Sequence, residues 1–234
     1  MLMKWIIKII FLLPFMVFPQ SNFEKAEKLF SQQKYSLAKP IFENILKENP
    51  NHLKTLEYIG DIEGANKSWD NAMMYYGKLK QLNPKQADYY YKYGGCLGMK
   101  AKDCNKFKAL GMIDDIKFSF EKAIEINPNH IGARWALIEL YLQLPGIIGG
   151  SERKANSYAN EFLKISPVDC YLAKGHIAEY FDRYAEAEKN YTKAISIGGS
   201  KTTYQKLANL YKNKMNQPEK AKQLLELYQE KIKS

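Results

Sequence analysis

Residues 38–50 read Ala-Lys-Pro-Ile-Phe-Glu-Asn-Ile-Leu-Lys-Glu-Asn-Pro, and residues 72–84 read Ala-Met-Met-Tyr-Tyr-Gly-Lys-Leu-Lys-Gln-Leu-Asn-Pro. Each stretch opens on Ala (Ala38, Ala72), places a large aromatic residue four positions later (Phe42, Tyr76) and an apolar residue three beyond that (Ile45, Leu79). Positions i, i+4 and i+7 share one face of an α-helix. The closing Asn-Pro cannot continue that helix, because proline lacks the amide donor and biases the residue before it to extended geometry. The two stretches start 34 residues apart. The Ala-to-Pro interval recurs at Ala155 and Pro167, and Ala187 and Ala221 are again 34 apart. A period in the thirties with helical content inside each unit predicts an all-α, right-handed α-solenoid of about six helix-turn-helix units.

The units divide approximately as residues 21–52, 53–86, 87–130, 131–167, 168–200 and 201–234. The units resemble the tetratricopeptide repeat, in which a small residue of the first helix, helix A, marks where helix B crosses closest. Gly94 takes that place in the third unit, and the helix-A matches of the other units include Ala26, Gly60, Ala133, Gly175 and Ala208. Helix B carries Ala38 and Phe42, Ala72 and Tyr76, Ile116 and Phe120, Ala155 and Phe162, Ala187 and Tyr191, and finally Ala221 and Leu225. The fifth unit, with Tyr171, Gly175, Ala187, Tyr191 and Ala194, keeps the pattern best.

These residues resemble the tetratricopeptide repeat (TPR) family over residues 21–234. The resemblance implies a non-catalytic protein-interaction scaffold or assembly factor that holds a protein or peptide on a concave surface lined by helix A. Carrying the family's groove positions across gives Glu57, Asp61, Tyr91, Trp135, Glu139, His176, Glu179, Tyr180, Asn209 and Lys212 as partner-binding residues. The Lys and Asn pattern with which some TPR domains clamp a C-terminal carboxylate is absent, since the first unit offers Phe23 and Glu27 there. Four of the groove residues are acidic, so a basic or mixed peptide segment is the expected guest.

Two units are stretched. From Pro84 to Pro128 is 44 residues, and from Pro128 to Pro167 is 39. The extra residues fall between helix A and helix B, at Lys100–Leu110 and at Pro145–Gly150. Insertions in repeat proteins gather on one edge, often a working one, so these two loops form a rival site to the groove. The Lys-rich insert and the Pro-Gly-x-x-Gly-Gly turn resemble a subgroup of exported bacterial TPR proteins. The chain is also similar to the helical region of regulators of microtubule dynamics, a function that an export signal sets aside.

The first twenty residues read differently. Lys4 begins a short basic region, and Ile9–Phe18 is apolar apart from Pro14. A run of that length suits a secretory signal peptide and is short of the roughly 20 residues of a membrane span. Residues 1–20 are therefore read as a signal peptide and 21–234 as the TPR domain, exported to the periplasm or another extracytoplasmic space. The alternative is a membrane-anchored organiser that keeps this segment, and an accessory domain of an enzyme system is a more distant one. Ser21 and Glu24 have capping-box spacing, which predicts a helix from Asn22.

Loss of residues 1–20 would remove Lys4 and Lys8 and lower the formal charge from +10 to +8. The basic residues are interspersed with Asp and Glu and form no like-charge block of five, so they read as solvated helix faces rather than a nucleic-acid footprint. The 17 Tyr fall mostly at the repeat's own large-residue positions, and core packing accounts for them. Cys96, Cys104 and Cys170 show no metal-ligand spacing and read as buried or half-buried thiols.

Gly94, Gly95 and Gly98 lie in a helix rather than after a strand, unlike a phosphate loop. Packing is their expected role, with room for a ligand as the alternative at Gly95 and Gly98. Gly146–Gly150 reads as a structural turn before Ser151, a good N-cap. His52 and His130 each stand two residues after a unit-closing proline and are equivalent through the repeat. No arrangement of nucleophile and base is present. No enzyme activity, cofactor, metal or nucleic acid is expected, and a membrane contact only through an uncleaved N-terminus.

Overall fold

The computed structural model describes residues 21–233; the expected signal peptide lies outside the described residues. Among those residues the structure is helical, and its helices fall into six successive pairs: α1 (Asn22–Ser31) with α2 (Tyr35–Glu48), α3 (Leu53–Ala65) with α4 (Trp69–Leu82), α5 (Ala87–Asp103) with α7 (Ile113–Ile126), α8 (Ile131–Gln143) with α9 (Glu152–Glu161), α10 (Pro167–Tyr180) with α11 (Tyr184–Gly198), and α12 (Lys201–Asn213) with α13 (Pro218–Lys231). A five-residue helix, α6 (Lys106–Leu110), lies inside the third pair. This is the α-solenoid that the 34-residue period predicts. No described helix is long and apolar enough to cross a membrane.

The chain forms two compact units that divide at Tyr58 and Ile59, within α3. In the first, Ser21 and Glu24 make the capping box that starts α1 at Asn22. Ala26, Ala38 and Phe42 are fully buried. The Phe42 and Tyr58 rings stack at 4.9 Å, Phe30 meets Tyr58 edge-on at 4.7 Å, and the Tyr58 hydroxyl donates to Glu27 at 2.8 Å.

In the second unit, one interaction recurs between helix A and helix B. A Cβ on Gly60 would stand 2.9 Å from the Tyr76 ring, one on Gly94 3.0 Å from the Phe120 ring, and one on Gly175 2.5 Å from the Tyr191 ring. The small residue of helix A thus gives up its volume to the aromatic ring of helix B. That exchange lets two helices pack closely at native core density. Ala72, Ala123, Ala155, Ala187 and Ala194 have no exposed surface, so one added methylene at these positions meets close-packed atoms.

The turns between helices show a device that the pattern of apolar residues does not reveal. Gln33, Lys67, Asp182 and Asn216 all have positive φ, between 52° and 59°. Gln33 and Lys67 are 34 residues apart, as are Asp182 and Asn216. At three of these turns the amide after the left-handed residue donates five residues back: Lys34 to Leu29, Ser68 to Glu63 and Arg183 to Ala178, each at 2.9 Å. That pairing satisfies the last carbonyls of helix A. The third and fourth pairs, whose connections are longer, do not use it.

Equivalent residues also cap equivalent helices. His130 Nδ1 accepts the Ala133 amide at 3.0 Å, and His52 Nδ1 accepts the Thr55 amide at 3.2 Å. Each imidazole therefore does the work of an N-cap side chain. Pro167 departs from its equivalents. Pro50, Pro84 and Pro128 precede the next helix by three residues, whereas Pro167 is itself at the start of α10, behind the Ser166 cap. A 3-10 turn at Phe162–Lys164 uses up the end of α9 and shifts the register.

Candidate functional site

The predicted groove residues occupy helix A throughout, on α3, α5, α8, α10 and α12. Glu57 belongs to the first unit and is half-buried. In the second unit Asp61 accepts from the Tyr76 hydroxyl at 2.5 Å and from Lys92 Nζ at 2.7 Å. Tyr91 packs 4.9 Å from the His130 ring and covers Gly132. Trp135, Glu139 and His176 come together across α8 and α10. The His176 ring lies 6.2 Å from Trp135, and its Nε2 is 2.5 Å from Glu139 Oε1. The His176 ring and the Gln143 amide hold the Glu139 carboxyl below the usual carboxylate range, the His176 contribution being the larger.

Two of these side chains serve the fold as well as the surface. Trp135 Nε1 donates to Asp169 at 2.9 Å, and its ring lies 5.8 Å from Phe162, so it is half-buried rather than a free aromatic anchor. Glu179 accepts from the Tyr191 hydroxyl at 2.7 Å, and burial pushes that phenol well above its ordinary pKa. Tyr180, by contrast, is 46% exposed and meets Phe181 edge-on at 5.1 Å; Asn209 and Lys212 are exposed on α12. The acidic residues of this face are therefore largely engaged within the molecule. The solvent-facing chemistry is aromatic, amide and basic.

The two inserts build a second feature. The extra residues of the third unit are not irregular: α5 runs 17 residues to Asp103, and α6 follows behind the Asn105 cap. The last turn of α5 is strapped to α4, where Lys100 pairs with Asp70 and Trp69 Nε1 donates to Asp103 at 2.6 Å. In the fourth unit a 3-10 turn at Gly146–Ile148 leads to Gly149 at φ 106°, and Ser151 N–H donates to Tyr141 O at 3.0 Å. A Cβ on Gly150 would collide with the Leu144 carbonyl. Gly146–Gly150 is thus a structural turn, and Ser151 caps α9 by accepting from Lys154 N–H.

Between these inserts and the helices lies a cavity of about 750 Å³. Its walls follow helical periodicity. α5 contributes Gly95, Gly98, Met99 and Lys102, and α8 contributes Ala136, Glu139, Leu140 and Gln143, each set at i, i+3, i+4 and i+7. Ile116 and Phe120 of α7 close one side, and Leu110 of α6 with Ile147 and Ile148 of the turn close another. Gly94 is filled by packing, but no atom lies within 4 Å of where a Cβ on Gly95 or Gly98 would sit. Their role is therefore space rather than the close packing expected from their neighbour.

The three cysteines are free, with Cys96 and Cys170 buried. Burial, with Asp61 nearby, pushes the Cys96 thiol up to about 11, so it stays protonated and unreactive at neutral pH. Among the described residues no cluster of three or more His, Cys, Asp or Glu could hold a metal ion.

The tetratricopeptide repeat model matches residues 168–197, the α10–α11 pair. RNA polymerase-associated protein CTR9 of Caenorhabditis elegans is 28% identical over 175 residues, and the match spans 70% of this chain but 13% of that protein. Among solved structures, TTC0263, a thermophilic TPR protein in Thermus thermophilus, has a TM-score of 0.63 at 17% identity, covering 81% of this chain and 96% of its own. PilW, a widely conserved type IV pilus biogenesis factor, has a TM-score of 0.63 at 16% identity, covering 90% of this chain and 92% of its own. At such identities the likeness is one of fold. The α10–α11 pair thus matches a tetratricopeptide repeat in sequence, and the described helices share the fold of solved TPR solenoids.

Proposed function

We propose that the chain is a non-catalytic scaffold or assembly factor that acts in the extracytoplasmic space and binds a protein or peptide on its helix-A face. The observation that carries this reading is the face itself: helix A of successive pairs supplies Trp135, Glu139, His176, Tyr180, Asn209 and Lys212. Tyr180, Asn209 and Lys212 stand exposed, without a role in the core. Exposed tyrosine is among the residue types that carry most interface energy, and Asn209 and Lys212 offer hydrogen-bond donors on the same helix-A face. The proposed site also takes in Asp61, Tyr91 and Glu179; Glu57, in the first unit, is proposed by itself as a partner-binding residue. The boundaries of the six units and the cleavage of residues 1–20 belong to the same proposal. PilW's part in pilus biogenesis makes an assembly role a natural form of it.

Site-specific photocrosslinking in native cells tests it. A benzoylphenylalanine at Tyr180 or Lys212 should capture a protein partner, and one at Lys189, exposed on helix B, should not. Tyr180→Ala with Lys212→Glu should weaken that capture by about 2 kcal/mol and leave helicity and melting unchanged. Capture from Lys189 equal to that from Tyr180 would overturn the assignment of the face. Mass spectrometry of the chain recovered from cells reads the export: a mature N-terminus near Ser21 is expected, and an intact Met1 in the membrane fraction would favour the anchored organiser.

A further inference from the structure

We propose that the cavity between α5, α6, α7 and α8 receives the single aliphatic chain of an anionic amphiphile of the fatty-acid class, with its head group held by Lys102 and Lys106. Four observations carry it, and of the residues lining the cavity Glu139 alone is shared with the partner-binding face.

The cavity's about 750 Å³ falls within the range of roughly 300–1,000 Å³ of small-molecule sites, and its walls are mainly hydrocarbon. The polar side chains lining it are Lys102, Lys106, Glu139 and Gln143. A peptide segment placed inside would bring backbone amides with few partners, each unmade hydrogen bond costing about 1–3 kcal/mol. An aliphatic chain brings no such groups.

Charge then selects the head. Glu139 is engaged by His176 and by Gln143, whose amide donates at 3.1 Å. Lys102 and Lys106 are exposed at the wall and, among the described residues, form no ion pair or side-chain hydrogen bond. Their ammonium groups favour an anion and disfavour a cation of the same chain length.

The glycines supply the third observation. Gly95 and Gly98 each cost a helix about 1 kcal/mol relative to Ala, and neither has an atom within 4 Å where its Cβ would stand. Packing does not require them, as it requires Gly94. Their absent side chains are part of the cavity's volume. The fourth is exposure: of the lining side chains Met99 is 40%, Leu110 42% and Ile147 93% exposed, apolar surface that an aliphatic ligand would help to cover.

The test titrates the purified full chain with a fluorescent dodecanoate probe and displaces it with laurate, dodecyltrimethylammonium, or vesicles containing phosphatidylglycerol. Laurate should displace the probe from one saturable site, and the ammonium amphiphile should do so at least about tenfold more weakly, a difference of about 1.4 kcal/mol. Gly98→Leu and Ala136→Leu fill the cavity from opposite walls, and each should weaken laurate by at least about tenfold with circular dichroism unchanged. Two such variants guard against a loss of fold in either. Lys102→Glu with Lys106→Glu should weaken laurate and spare dodecanol. The proposal fails if no saturable site is found, or if both filled variants bind laurate as the parent does. It fails equally if the cationic amphiphile competes as well as laurate, if an apolar peptide displaces the probe and laurate does not, or if the chain adsorbs to vesicles without laurate competing. Crosslinking at Tyr180 and Lys212 reads a different surface, so either proposal can fail alone.

Discussion

Between α10 and α11 the chain turns in three residues, Phe181–Arg183, with Asp182 at φ 57°; between α5 and α7 it takes residues 104–112, and between α8 and α9 residues 144–151. The helix crossings in these two regions are nevertheless alike. Gly175 makes room for Tyr191 as Gly94 does for Phe120, and Ala194 and Ala123, each three residues after the ring, are both fully buried. The comparison separates two tasks within one repeat. The crossing point fixes the core, and it tolerates no change of volume. The connection beyond it is free to grow, since the entropy of closing a longer loop rises only slowly with its length. In the midsection the added residues extend α5 and add α6, and the cavity lies between them and α8. The C-terminal pairs have the tight turn in that place.

The sharpest way to break the comparison is to add the same methyl group in both regions. Gly175→Ala should cost about 1–3 kcal/mol through overpacking against Tyr191, and Ala187→Leu a similar amount. Gly98→Ala should be neutral or stabilise by up to about 1 kcal/mol, because helix propensity improves and nothing is displaced. Urea midpoints at equal slope decide it. Equal losses at Gly175 and Gly98 would erase the distinction between packed and open glycines.

The turns offer a smaller contrast. Gly149, at φ 106°, lies where side chains rarely go, so Gly149→Ala should cost about 1–2 kcal/mol. Asp182 already occupies the left-handed region, and Asp182→Gly should change stability by under ~0.5 kcal/mol. Thermal unfolding of the two variants checks both signs. A neutral Gly149→Ala would mean that the midsection turn is not held in its observed form.

The smallest effect is electrostatic. His176, Gln143 and the field of Lys102 lower the Glu139 carboxyl, with the His176 contact first. A carboxyl lowered in the folded state adds stability above its unfolded pKa, and that stability is lost as pH falls through the folded value. Glu139→Gln should therefore flatten the acid limb of a stability–pH curve by under ~1 kcal/mol. Glu188, lowered by Lys220 and Tyr211 in the C-terminal region, should show the same sign when replaced by Gln. A steeper acid limb in Glu139→Gln would show that the His176 contact does not hold the carboxylate in solution.

The sequence by itself determined the helices, their pairing and the glycine-to-aromatic crossings at Gly60, Gly94 and Gly175. Ala38, Ala72 and Ala187, with Phe42, Tyr76 and Tyr191 four residues on, record a local period that one chain can spell out. Ser21 with Glu24 is just as local, and it placed the first helix at Asn22. The partnering of Asp61, Glu139 and Glu179 was not legible, because Lys92, His176 and Tyr191 reach them from another helix or another turn. The role of Pro167 was also hidden: its spacing from Ala155 matches the other units, and only the 3-10 turn at Phe162–Lys164 shows that it opens α10. The cavity is the clearest case. The stretched intervals announced two loops, but emptiness is a relation among surfaces that the sequence does not adjoin. Gly94, Gly95 and Gly98 look alike in a string of letters; the tertiary structure sets Phe120 against the first and leaves open space over the other two.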